Sequence, residues 1–164
     1  MVAVLAPGRG APRAAEVALD LQVASDAAGL PGRGVFEAAV GAALAGRRPR
    51  GELTLRIVDG EEGRVLNRRW RGRDYATNVL SFPVDGLDEI APDLLGDIVL
   101  CAPVVAAEAA AQGKRAADHW THLTVHGVLH LLGLDHEHEA EARVMEDQER
   151  AILAALGLAD PYRA

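Results

Sequence analysis

A chain of 164 residues, 49% hydrophobic and 25% charged, has the size and composition of one globular domain with a core of its own. A formal charge of −7 counts against bulk coating of nucleic acid, and the single cysteine, Cys101, leaves no intramolecular disulfide. No apolar run reaches the roughly eighteen residues of a membrane span, and "MVAVLAPGRGAPR" lacks the basic region of a signal peptide, so no membrane partner and a cytoplasmic location are expected.

Residues 1–16, rich in Ala, Gly, Pro and Arg, show no periodicity and read as a flexible extension ahead of one domain, 17–164. "ALDLQVAS" (18–25) alternates Leu19, Leu21 and Val23, the pattern of a first strand. After the break "LPGRG", "VFEAAVGAALAG" predicts a helix closed by Gly46. "GELTLRIVDG" (51–60) alternates again and ends in an Asp-Gly turn. Residues 61–70 predict a short helix with Val65, Leu66 and Trp70 inward. "YATNVLSFPV" (75–84) is a loop entering a short strand, and a polar loop separates it from a fourth strand, "GDIVLCAP" (96–103). An Ala-rich helix from Pro103 to Gln112 stops at Gly113, and residues 116–133 form a further helix closed by Gly133. The last helix, 139–157, sets Val144, Met145, Ile152 and Leu156 on one stripe. About four strands and five helices predict an α+β domain with a mixed sheet.

The charge is unevenly spread. Arg64, Arg68, Arg69, Arg71 and Arg73 crowd into ten residues, whereas 135–149 is strongly acidic.

"HGVLHLLGLDH" (126–136) carries the chemistry. Residues four apart on a helix are separated by about 40° and about 6 Å, so His126 and His130 share a face. On a continuing helix His136 would lie about 15 Å from His126. Gly133 permits a left-handed cap and turn that returns His136 toward the pair. Three imidazoles leave the fourth tetrahedral position open, as in catalytic zinc sites. His138 is the alternative third ligand. His122, His126 and His130 cannot all ligate one ion, because three rungs of a helix span about 12 Å. The spacing also matches the metzincin pattern H-E-x-x-H-x-x-G-x-x-H, but Gly127 stands in place of the peptidase's general base. Losing that base removes a contribution of ~10²–10⁴-fold, so the geometry is like a peptidase's and the chemistry is not.

"HGVLHLLGLDH" together with "WRGRDYATNVLSFP" and "LLGDIVLC" resembles the YbeY family, bacterial metal-dependent endoribonucleases of ribosomal RNA maturation. The resemblance runs from about Leu19 to Tyr162 and implies a zincin-like metal helix. It implies that His126, His130 and His136 bind one metal, zinc being preferred, and that Arg71 and Asp97 are functional. It implies ribosomal RNA and the small ribosomal subunit as partners, with ribosome-associated proteins assisting. Asn78 departs from the Asp common before Val79 in that family.

These residue types suit phosphodiester cleavage. A metal polarises a phosphoryl oxygen, and an arginine fork holds two phosphate oxygens together. Arg68, Arg69 and Arg73 are candidates for substrate attraction, and Trp70 and Tyr75 for stacking on single-stranded bases. Asp97 has the alternative role of a strand-start carboxylate accepting backbone hydrogen bonds. Cys101 reads as a buried small hydrophobe. Two rival functions remain open at this point: a metallohydrolase of peptides or small molecules, and a ribosome-associated binding protein with a structural metal.

Overall fold

A computed structural model describes residues 14–163, which form four strands and five helices. Residues 1–13 lie outside the described residues, and with them most of the extension expected over 1–16. In chain order the elements are β1 (Glu16–Ala24), α1 (Arg33–Leu44), β2 (Arg50–Val58), α2 (Gly60–Arg71), β3 (Val79–Pro83), β4 (Leu94–Cys101), α3 (Ala102–Gln112), α4 (Ala116–Leu131) and α5 (Glu139–Ala155). The sheet runs β1-β2-β4-β3. β1, β2 and β4 are parallel, and β3 pairs antiparallel to β4 on the outer edge, so the sheet is mixed as expected. The expected fourth strand reached residue 103, but it ends at Cys101 because Pro103 sits in the first turn of α3.

Strand alternation sorts the interior onto two faces. Leu53, Leu55 and Ile57 of β2 and Ile98 and Leu100 of β4 join the main core with α1, α4 and α5. Val58, Val99 and Cys101 point the other way and form a smaller cluster with Leu80 and Leu66. Full burial of each such side chain stabilises by roughly 1.5–3 kcal/mol relative to exposure. α4 lies through the main core, with Trp120, Leu123, Val128, Leu129 and Leu131 buried. It presses closely on β4: a Cβ on Gly127 would come within 3.0 Å of the Ile98 side chain. α4 therefore docks rigidly on the sheet, and its remaining exposed stripe is free to carry polar groups.

Inward assignments on two helices are corrected, at Val65, Trp70 and Val144. On α2 the residues facing the sheet are Gly63, Leu66 and Asn67, whereas Val65 is 49% and Trp70 56% exposed. Gly63 sits directly over Cys101, which fixes the 63/66/67 stripe downward and turns Val65 away. Trp70 reaches past the edge of the sheet and packs edge-on against Phe82, with ring centroids 6.1 Å apart. On α5 the buried residues are Met145, Glu149, Ile152 and Leu153, while Val144 is 54% exposed.

Candidate metal centre

His126 and His130 occupy the partly exposed stripe of α4, one turn apart. The helix ends at Leu131, where the N–H of Gly133 donates to the carbonyl of His130 and that of Leu134 to the carbonyl of Leu129. Gly133 has φ +100°, a left-handed backbone that a residue with a Cβ adopts only under strain. The chain turns there and returns His136, whose N–H donates to Oδ1 of Asp135 at 2.7 Å. Among the described residues, His126, His130 and His136 bring one nitrogen each within 4.8 Å of one another. Their ring centroids lie 4.6, 5.4 and 4.9 Å apart. His138 instead begins α5 as its N-cap, and His122 turns toward Glu149.

Tetrahedral zinc with bonds of about 2.0–2.1 Å needs ligand nitrogens roughly 3.3 Å apart. The Nε2 atoms of His126 and His130 are 3.1 Å apart. Burial, with like-charge repulsion from His126 and His136, brings the His130 imidazole down to about 4, so it is neutral near pH 7 and has a lone pair to give. The donor set fits a zinc-type ion.

The three histidines open onto a cavity of about 680 Å³, whose lining includes Asn67, Arg71, Arg73, Tyr75, Asn78, Asp135 and Glu137. α2 closes at Gly72 in a left-handed turn, with Arg71 just before it. Arg71 reaches round the edge strand: its guanidinium donates to the Ser81 carbonyl at 2.9 Å and lies 5.6 Å from the Phe82 ring centroid. The loop after Gly72 is held back by Asn67, a buried residue whose Nδ2 donates to the Tyr75 carbonyl at 2.7 Å. That clamp brings Arg73 and Tyr75 to the cavity, where Arg73 donates to the Tyr75 hydroxyl at 3.3 Å. Asn78 donates to Oε1 of Glu108 at 3.0 Å, and an Asp there would set two carboxylates against each other.

Other expected site residues lie elsewhere. Arg68, Arg69 and Trp70 are exposed on α2 and do not line the cavity; the Arg69 guanidinium sits 5.3 Å over the Trp70 ring. Asp97 is also outside it. Its neighbours Ile98 and Leu100 face α4, so alternation directs Asp97 to the α2 side, cross-strand from Phe82. Asp97 therefore stands outside the histidine cavity, on the opposite side of β4. Cys101 is 1% exposed, and burial pushes its thiol up, away from reactivity.

Glu149 was not singled out from the sequence. It is completely buried, with its carboxylate 3.2 Å from Nδ1 of His126 and 3.2 Å from Nε2 of His122. The Tyr162 hydroxyl donates to it at 2.6 Å. Burial pushes the carboxyl up, but hydrogen bonds from His122, His126 and Tyr162 outweigh that and bring it down to about 2. Its signal in the sequence is a carboxylate at the i+4 position of the Met145, Ile152, Leu153 stripe.

The sequence matches the family model described as "Endoribonuclease YbeY" over residues 34–157. It is 58% identical over 154 residues to a protein of Alkalilimnicola ehrlichii named endoribonuclease YbeY, covering 89% of this chain and 92% of that one. A protein of the same name from Stenotrophomonas maltophilia is 59% identical over 139 residues, covering 82% of this chain and 86% of its own. A third, from Halorhodospira halophila, is 64% identical over 116 residues, covering 69% and 75%.

Proposed function

The chain belongs to the YbeY family of endoribonucleases, and from that premise we propose that it hydrolyses phosphodiester bonds of single-stranded RNA at the His126–His130–His136 centre. The observation that carries this reading is the convergence of the three histidines and Arg71 on one cavity. His126, His130 and His136 would hold one zinc ion per chain. A divalent cation held there supplies Lewis acidity toward a phosphoryl oxygen.

The chain's own residues provide substrate grip and charge complementarity. One nitrogen of the Arg71 fork is committed to Ser81, which fixes the plane of the guanidinium. The other N–H groups are left for the nonbridging phosphate oxygens, whose charge grows toward the transition state. Arg73 adds a second cation, and Tyr75, 52% exposed beside it, offers a ring face to an unstacked base. Arg68, Arg69 and Trp70 form a separate exposed patch on α2 that would meet more distant parts of a bound strand. Asp97, cross-strand from Phe82, stands on that same side.

The substrate we assign is ribosomal RNA on or near the small ribosomal subunit, in the cytoplasm, with ribosome-associated proteins assisting. The net charge of −7 supports this, because two cavity arginines alone give weak affinity for free RNA. Among the described residues, no helix is long and apolar enough to cross a membrane. Peptide hydrolysis is disfavoured by Gly127, which packs on Ile98 where a metzincin carries its base.

The test is cleavage of a labelled ribosomal RNA fragment with single-stranded ends by wild type and by folded His130→Ala and Arg71→Ala. Cutting by wild type alone supports the reading. Equal cutting by all three would contradict it.

A further inference from the structure

A fully buried carboxylate is costly unless its oxygens are hydrogen-bonded, and Glu149 lies on the apolar stripe of α5 with, among the described residues, no lysine or arginine hydrogen-bonded to it. Its partners are two imidazoles of α4 and the Tyr162 hydroxyl. The neighbouring Arg150 serves other groups: it pairs with Asp147 and Asp160 and lies 5.2 Å over the Tyr162 ring. Glu149 therefore spends its whole hydrogen-bonding capacity on the wall behind the metal centre.

An ionised carboxylate only accepts, so the ring nitrogen facing it must carry the proton. For His126 that nitrogen is Nδ1, 3.2 Å from Oε2 of Glu149. The opposite nitrogen, Nε2, then has the lone pair, and it is the atom 3.1 Å from Nε2 of His130. We infer that Glu149 is a positioning residue of the metal centre: it accepts the Nδ1–H of His126 and thereby presents Nε2 of that ring to the ion. The inference rests on the proposed metal centre and adds to it a carboxylate from α5. His122 and Tyr162 hold the carboxylate from the far side, so residues near the C-terminus contribute to a site built on α4.

Carboxylates placed behind a ligating histidine raise its basicity and fix its ring, and losing one typically weakens metal binding about 10–100-fold. A merely structural Glu149, tying α5 to α4, would change the stability of the fold and leave zinc affinity alone.

The experiment measures zinc affinity by chelator competition for metal-stripped wild type, Glu149→Gln and Tyr162→Phe. It is paired with nitrogen-15 spectra of the histidines in stripped wild type. The expected results are a loss of about 10-fold or more for Glu149→Gln, a smaller loss for Tyr162→Phe, and His126 as the Nδ1–H tautomer. If Glu149→Gln fails to fold, the tautomer in wild type decides, and an Nε2–H form of His126 overturns the inference. Equal zinc affinity of wild type and folded Glu149→Gln overturns it while leaving the metal centre standing. A wild type that takes up no zinc overturns the metal centre and this inference together.

Discussion

The Arg71 guanidinium donates to the Ser81 carbonyl at 2.9 Å, joining the last turn of α2 to the edge strand β3 beside three histidines of α4 and its following loop. One hydrogen bond thus orients the fork before any substrate arrives. Arg71→Ala is expected to lower kcat/KM for RNA cleavage by about 10²-fold, the usual scale for removing one preorganised donor to a developing oxyanion. Arg71→Lys should recover only part of it, because a single ammonium lacks the rigid planar fork that sets parallel N–H groups against two phosphate oxygens while a third meets Ser81. Steady-state kinetics check both. Full activity of Arg71→Lys would show that charge alone suffices.

Among the described residues only Arg71 and Arg73 bring a side-chain cation to the lining of the cavity, so binding of single-stranded RNA should depend only modestly on salt. Contacts from Arg71 and Arg73 predict a slope of log K against log salt of about −1.4, from roughly −0.7 per phosphate on a single strand. Titrations from low to moderate salt measure it. A slope several times steeper would place the binding surface elsewhere.

Gly127 fixes how closely α4 approaches β4. A Cβ there would fall 3.0 to 3.3 Å from three atoms of Ile98, and a longer side chain would enter the core. Gly127→Glu, which recreates the metzincin pattern on paper, is expected to destabilise the fold by about 3 kcal/mol or more, through overpacking and an unpaired buried carboxylate. No peptidase activity should appear. Denaturant unfolding of the variant gives the first quantity and a peptide hydrolysis assay the second.

Acid should weaken the metal-stripped protein in two stages. Burial, then His126 and His136, depress the folded-state value of His130 to about 4 from 6.5, so the unfolded chain binds more protons between those values. The stability due to a neutral His130 is present above pH 6.5 and lost as pH falls toward 4. Glu149, lowered to about 2 from 4.5, adds a second loss below pH 4.5. Urea midpoints of stripped protein should therefore fall from pH 7 to 4 and faster below. His130→Asn should flatten the upper stage. A flat profile between pH 6.5 and 4.5 in wild type would contradict it.

The convergence of the three histidines was legible because two simple rules, the helical repeat and the freedom of Gly133, suffice to bring them together. Arg71 was legible through its motif, but its path round β3 was not, since that depends on β3 being the edge strand. The face of the sheet on which Asp97 stands was not legible, for a physical reason. The run Ile98, Val99, Leu100, Cys101 is buried on both faces, so its apolar pattern does not say which face Asp97 shares. Trp70 followed the inward period of α2 but overhangs the sheet, a property of strand order rather than helix period. Glu149 was hidden in an acidic segment, and only the spacing of Met145, Ile152 and Leu153 marks it as interior.

The most direct measurement is RNA cleavage by metal-stripped protein as zinc is added back, followed against zinc bound per chain. Catalysis at a three-histidine zinc centre predicts no cleavage without metal, a rise in proportion to occupancy and a plateau at one zinc per chain, with His130→Ala inactive throughout. Cleavage by the stripped protein at the reconstituted rate, or full zinc occupancy without cleavage, would contradict it.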